Sequence, residues 1–187
     1  MSLLFDEPEA PKLGGALHNI YFAIQPDADA ARTLCALGCA DGHAMAPSRL
    51  HISLYSLGLH RSLPRQQVAE AVQAACRVRL PPFLVALDRV ATWGRGRGPL
   101  PTVAWADERV GGVRDLHDRL HDAVAPAAPW RRRKPAIDPH LTLWRSERRR
   151  AIAFIAPVRW WVREFVLLDS HYGEGRHDVL DRFPLIG

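Results

Sequence analysis

Cysteine is scarce in this chain, with three residues in 187, at Cys35, Cys39 and Cys76. They form no paired framework and no metal-ligand spacing, which argues against a disulfide scaffold and a zinc module. Free thiols in a reducing cytoplasm are expected, with Cys35 and Cys39 as ordinary packing residues of one helix. Long apolar runs are also missing. None approaches the roughly 18 residues of a membrane-spanning helix. The opening MSLLFDEPEA has no basic segment and only a short apolar one, so neither a signal peptide nor an anchor is expected. The phosphate loop G-x-x-x-x-G-K-[S/T], the dinucleotide fingerprint and the H-E-x-x-H metalloprotease pattern are all absent, and GRGRG at Gly94–Gly98 matches none of them. His117 and His121 stand four apart on a predicted helix, but Asp118 and Asp122 flank them on what reads as its polar side. No metal and no cofactor are expected.

What is present is a globular composition, 48% hydrophobic, with net charge +5 and a pI near 9.6. The length suits one domain or two small fused lobes with a core. The basic balance permits a polyanionic partner without requiring one.

Residues 1–16 carry Pro, Gly and acids without periodicity and read as a tail, leaving 17–187 as one domain. HNIYFAI predicts a strand. Pro26-Asp27 opens a helix that ends near Gly42, and Pro64 opens a second, with Val68, Val72 and Ala75 on its apolar face. FLVALDRVATW and TVAWA are strands around a flexible GRGRGPLP loop. RVGGVRDLHDRLHDAVA is a helix with Val113, Leu116, Leu120 and Val124 on one side. VRWWVREFVLLDS and VLDRFPL close the chain as two further strands. This order lacks the strict alternation of a doubly wound sheet and predicts an α+β fold.

Within that order one pattern is written twice. His51-Ile52-Ser53-Leu54-Tyr55 matches His140-Leu141-Thr142-Leu143-Trp144, each copy on a predicted strand. Two related lobes, each lending one copy to a shared cleft, would explain it. Side chains alternate along a strand. His51, Ser53 and Tyr55 should therefore share one face, and His140, Thr142 and Trp144 another, with the aliphatic residues anchoring each strand from behind. Two imidazoles and two hydroxyls facing one another suit metal-free opening of a phosphodiester. One imidazole takes a proton, the other gives one, and the hydroxyls hold the anionic oxygens.

LHISLYSLG and PHLTLWR, with IYFAI before them and VREFVLLDS…VLDRFPL after them, resemble the two-histidine phosphoesterases. They are most similar to the branch of bacterial RNA 2′,3′-cyclic phosphodiesterases, also called 2′-5′ RNA ligases. The resemblance spans about His18 to Leu185. It implies a two-lobed α+β fold, an antiparallel sheet in each lobe, helices outside and the site between. It makes His51 and His140 the catalytic pair, Ser53 and Thr142 phosphate ligands, and Arg145 a substrate contact. The implied activity is hydrolysis of RNA or nucleotide 2′,3′-cyclic phosphates to 2′-phosphomonoesters without metal, with 2′-5′ ligation as a side reaction.

The chain departs from that pattern at Tyr55 and Trp144, where small residues are usual. Alternation puts both near the cleft mouth, as base-stacking candidates. It puts Arg145 on the wrong face unless the strand ends or bulges there. The basic WRRRKP segment at Trp130–Pro135 and the Gly94–Pro101 loop are candidate RNA contacts. His18, His43, His60, His171 and His177 read as surface or loop residues. No obligate protein partner is inferred. Two alternatives remain open: a small-molecule nucleotide cyclic phosphodiesterase, and a non-catalytic RNA-binding module.

Overall fold

In a computed structural model, residues 17–38, 42–96, 98–125 and 136–187 are described. The expected tail, Cys39, Arg97 and the whole WRRRKP segment lie outside them. The elements run β1 (Leu17–Ile24), α1 (Ala28–Ala36), β2 (Gly42–Ala44), β3 (Ile52–His60), α2 (Arg65–Ala75), β4 (Phe83–Thr92), β5 (Leu100–Trp105) and α3 (Gly111–Val124). They finish with β6 (His140–Ser146), β7 (Ala153–Val162), β8 (Glu164–Tyr172) and β9 (Arg176–Pro184). The class is α+β, with antiparallel strands and three helices, as the sequence predicts.

Local chemistry sets the helix starts. The Asp27 carboxylate accepts a hydrogen bond from the Ala30 amide at 2.8 Å and so caps α1. Pro64 immediately precedes α2, whose first N–H groups need no internal partner. On α3, Val113, Leu116, Leu120 and Val124 are buried, the spacing of one helical face. His117 and His121 are buried beside them rather than lying on a polar side. At the start of α3, a Cβ on Gly112 would lie 2.4 Å from the Phe83 ring, so only glycine lets the helix approach β4 this closely.

The strand order is β7-β4-β5-β6-β3-β1-β8-β9, with β2 added to β6. Two antiparallel halves, β7-β4-β5-β6 and β3-β1-β8-β9, meet edge to edge through one residue pair, Ile52 opposite Leu141. The two copies of the motif therefore occupy the two strands at the seam.

The run VRWWVREFVLLDS, expected as one strand, breaks at Arg163 into the end of β7 and most of β8. These belong to different halves. Six interstrand steps separate β7 from β8, about 29 Å in a flat sheet. A single linking residue spans at most about 7 Å. The sheet must therefore roll, bringing Trp160 and Val162 of β7 and Phe165 of β8 into one core with Leu34 of α1. A smaller cluster, Tyr21, Ala23, Val166 and Leu168, covers the other face of β1 and β8.

Candidate active site

The seam fixes the geometry of the twin motifs. Ile52 pairs antiparallel with Leu141, and both are fully buried. Continuing that register one residue each way sets His51 opposite Thr142 and Ser53 opposite His140. The four polar residues thus surround a local pseudo-twofold axis, on the face opposite the buried aliphatic residues.

Both histidines are held in the same way. The Nδ1 of His51 lies 2.7 Å from the carbonyl of Arg49, and that of His140 lies 2.7 Å from the carbonyl of Asp138. A carbonyl only accepts, so Nδ1 carries the proton and donates. In the neutral ring this leaves the Nε2 lone pair free to take a proton. Neither ring needs a carboxylate to orient it.

Electrostatics separates the two. Burial is the largest influence on His51 and pushes its pKa down to about 4, with His140 and Arg49 adding positive charge nearby. Burial also lowers His140, and in each ring the carbonyl held by Nδ1 works in the opposite direction, so what separates the two is the neighbouring charge: Arg49 lowers His51 and the Asp138 carboxylate raises His140. The influence of His140 on His51 places the two rings within electrostatic reach of each other.

The strands do not alternate regularly beyond the hydroxyls. On β3, Ser53 pairs with Ala23 but Tyr55 pairs with the next residue back, Phe22, so Leu54 is an extra residue. On β6, Thr142 pairs with Val103 and Trp144 with Thr102, so Leu143 is extra. Each motif therefore carries a bulge at the same place, and each bulge inverts the faces that follow it. Strict alternation put Tyr55 and Trp144 at the mouth. They instead turn into the core, at 2% and 7% exposure. The same inversion brings half-buried Arg145 onto the face of His140 and Thr142. Ser53 is exposed and Thr142 half-buried. The imidazole of His117 donates from Nδ1 to the carbonyl of Leu54, the bulge residue, at 2.8 Å. It serves the first motif structurally.

Several site neighbours have no short sequence signature. The ring of His177, on β9, stands 5.3 Å from that of His51, and Tyr21 stands 5.1 Å from His51 and 6.3 Å from His177, so the three rings cluster. His177 is thus neither a loop nor an idle surface residue. Burial, then the charges of His51 and Arg49, push its pKa down to about 4. The Nε of Arg49 and the Nδ1 of His177 are buried without a hydrogen-bond partner, in a place where an anion would supply one. Around His140, the ring of Trp93 lies 4.8 Å away, backed by Trp105 at 5.4 Å from Trp93. Both are half-buried. Trp93 follows β4 directly and Trp105 ends β5, both ordinary strand positions in sequence. Of the expected loop contacts, the Gly94 and Gly96 carbonyls accept hydrogen bonds from the Arg149 guanidinium at 3.3 Å each.

A rolled antiparallel sheet with helices, carrying two His-x-hydroxyl strands at its seam, defines the class of two-histidine phosphoesterases. The model of the 2′-5′ RNA ligase superfamily matches residues 22–174, and the chain belongs to that superfamily. Comparison with curated proteins gives no match. Among solved structures, apo E. coli LigT superposes with a TM-score of 0.72 at 24% identity, covering 92% of this chain and 100% of LigT. LigT complexed with 3′-AMP gives 0.71 at 24% identity, with coverage of 92% and 100%. TT0787 of Thermus thermophilus gives 0.73 at 21% identity, covering 90% of this chain and 98% of that one. These likenesses show the fold. Among the described residues, no helix is long and apolar enough to cross a membrane.

Proposed function

We propose that the protein is a cytoplasmic, metal-independent RNA 2′,3′-cyclic phosphodiesterase that leaves a 2′-phosphomonoester. The observation that supports this most is the matched pair of imidazoles at the seam, each held through Nδ1 by the carbonyl two residues upstream. Water attacks phosphorus on the side away from O3′ and passes its proton to the Nε2 of His51. The P–O3′ bond breaks, and His140 delivers a proton to O3′. Arg49 beside His51 disfavours a charged ring there, and Asp138 beside His140 favours one. These neighbours support His51 as the base and His140 as the acid.

Ser53 and Thr142 hold the nonbridging oxygens. Arg145 and Arg49 offset the phosphate charge as it redistributes. Trp93, rather than Tyr55 or Trp144, supplies the stacking surface for the neighbouring base. Replacing water by an RNA 5′-hydroxyl in the same geometry makes a 2′-5′ linkage, so ligation is available as a side reaction.

The test is hydrolysis of an oligonucleotide with a 2′,3′-cyclic phosphate end in the presence of chelator. Wild type should turn over, and His51→Ala and His140→Ala should each lose about 10²–10⁴-fold. Near-normal rates in both variants would end the proposal. E. coli LigT has been crystallised with 3′-AMP, which gives a mononucleotide substrate some support as a second reading. A kcat/KM that does not rise from mononucleotide to oligonucleotide would favour it.

A further inference from the structure

Among the described residues, one group of His and Asp side chains brings its ligating atoms close enough together to hold a metal ion, and it lies outside the seam. His18 on β1 faces His171 on β8 in register, and Ile20 faces Asp169. Asp169 and His171 are two apart and share a side of β8. All three lie on the face of Ile20 and Phe22, whereas Tyr21 and His51 lie on the other. The trio is therefore on the opposite side of the sheet from the catalytic pair. Its ligating atoms all lie within 4.8 Å of one another. The Oδ2 of Asp169 is 2.7 Å from His18 Nδ1 and 3.7 Å from His171 Nε2. Tetrahedral zinc with bonds near 2.1 Å holds its ligands about 3.4 Å apart, between those two distances. On β9, Asp178 Oδ2 lies 2.8 Å from His171 Nε2, outside that trio, and pairs with this ring.

A second feature points to a missing ligand. Asp169 is 3% exposed and its other oxygen, Oδ1, is buried with no hydrogen-bond partner. Leaving a carboxylate oxygen in that state is costly. We propose that His18, Asp169 and His171 bind a zinc-class divalent cation that clamps the ends of β1 and β8. Two imidazoles and one carboxylate are donors that zinc accepts, and water completes the tetrahedron. The Arg176 guanidinium lies 2.9 Å from His171 Nε2 and 3.4 Å from Asp178. Its side chain is 56% exposed, so it swings to solvent as the metal enters. The site is structural and separate from the chemistry proposed above, which chelator leaves intact.

The experiment is calorimetric titration of the chelator-treated full chain with zinc, paired with thermal melts. Wild type should bind one zinc per chain and melt higher with it. His18→Gln and Asp169→Asn should each weaken binding at least tenfold and lose the thermal shift. The His51→Ala/His140→Ala double variant should retain both. Cobalt should give a tetrahedral absorption spectrum in wild type and not in His18→Gln, whose partly exposed position makes loss of folding an unnecessary explanation. Loss of zinc binding in the double variant would move the metal to the catalytic pair and overturn the site. So would no binding at millimolar zinc, which would make the cluster an ion-pair network only.

Discussion

The pH dependence of cyclic phosphate hydrolysis tests the proposed division of labour most closely. The proposed mechanism requires the His51–His140 pair to hold a single proton. Below about pH 4 both rings are charged and no base remains, because His51 is pushed down to about 4. Above the pKa of His140, which burial holds below its ordinary 6.5, both rings are neutral and no acid remains. The profile of kcat/KM, which reports the free enzyme, should therefore be a bell with both limbs acid of 6.5. On the alkaline limb the rate falls tenfold per pH unit, so two units beyond the limb cost about 100-fold, a loss of about 2.7 kcal/mol of transition-state stabilisation. Bound phosphate stabilises the charged rings, so the limbs of kcat should lie at higher pH than those of kcat/KM. Asp138→Asn removes a carboxylate that favours charged His140, and should move the alkaline limb of kcat/KM further down while leaving the acid limb in place. Initial rates on a nucleoside 2′,3′-cyclic phosphate, between about pH 2.5 and 9 at constant ionic strength, give both profiles. A flat kcat/KM across that range, or an Asp138→Asn variant that shifts only the acid limb, would refute the assignment. The two apparent pKa values belong to the coupled pair.

Ser53→Ala and Thr142→Ala should each cost about 1–3 kcal/mol in kcat/KM, the range for hydrogen bonds to charged groups, with part of the loss in KM. Trp93→Ala should weaken base-bearing substrates by about 1–3 kcal/mol and a base-free ribose cyclic phosphate much less; equal losses on both would show that Trp93 only shapes the site. Tyr55→Ala and Trp144→Ala should destabilise the fold by about 3–5 kcal/mol, as large core truncations do, measured by urea denaturation. Little change in stability would mean that these rings are not core. His51, His140 and His177 all have lowered pKa values, so the unfolded state binds more protons between 6.5 and about 4. Stability should fall as pH drops through that window, and a His177→Gln variant should show a shallower fall; an unchanged slope would remove His177 from the account.

The sequence by itself determined most of the elements and singled out the candidate catalytic residues. Apolar periodicity marked the buried face of α3, Pro26-Asp27 and Pro64 marked two helix starts, and the repeated pentapeptide singled out His51, Ser53, His140 and Thr142. These signals are local, and local geometry carries them. It did not foresee three-residue β2, too short for a pattern, nor the break at Arg163, where two strands run on without a turn residue. Only the tertiary structure decided which faces Tyr55, Trp144 and Arg145 take. A bulge is an extra residue relative to a partner strand, so Leu54 and Leu143 are bulged only because Phe22 and Ala23, or Thr102 and Val103, lie opposite. His177, Arg49 and Trp93 joined the site for the same reason. Each lies at an unremarkable position in the chain, and strand pairing across the rolled sheet carries it to the imidazoles.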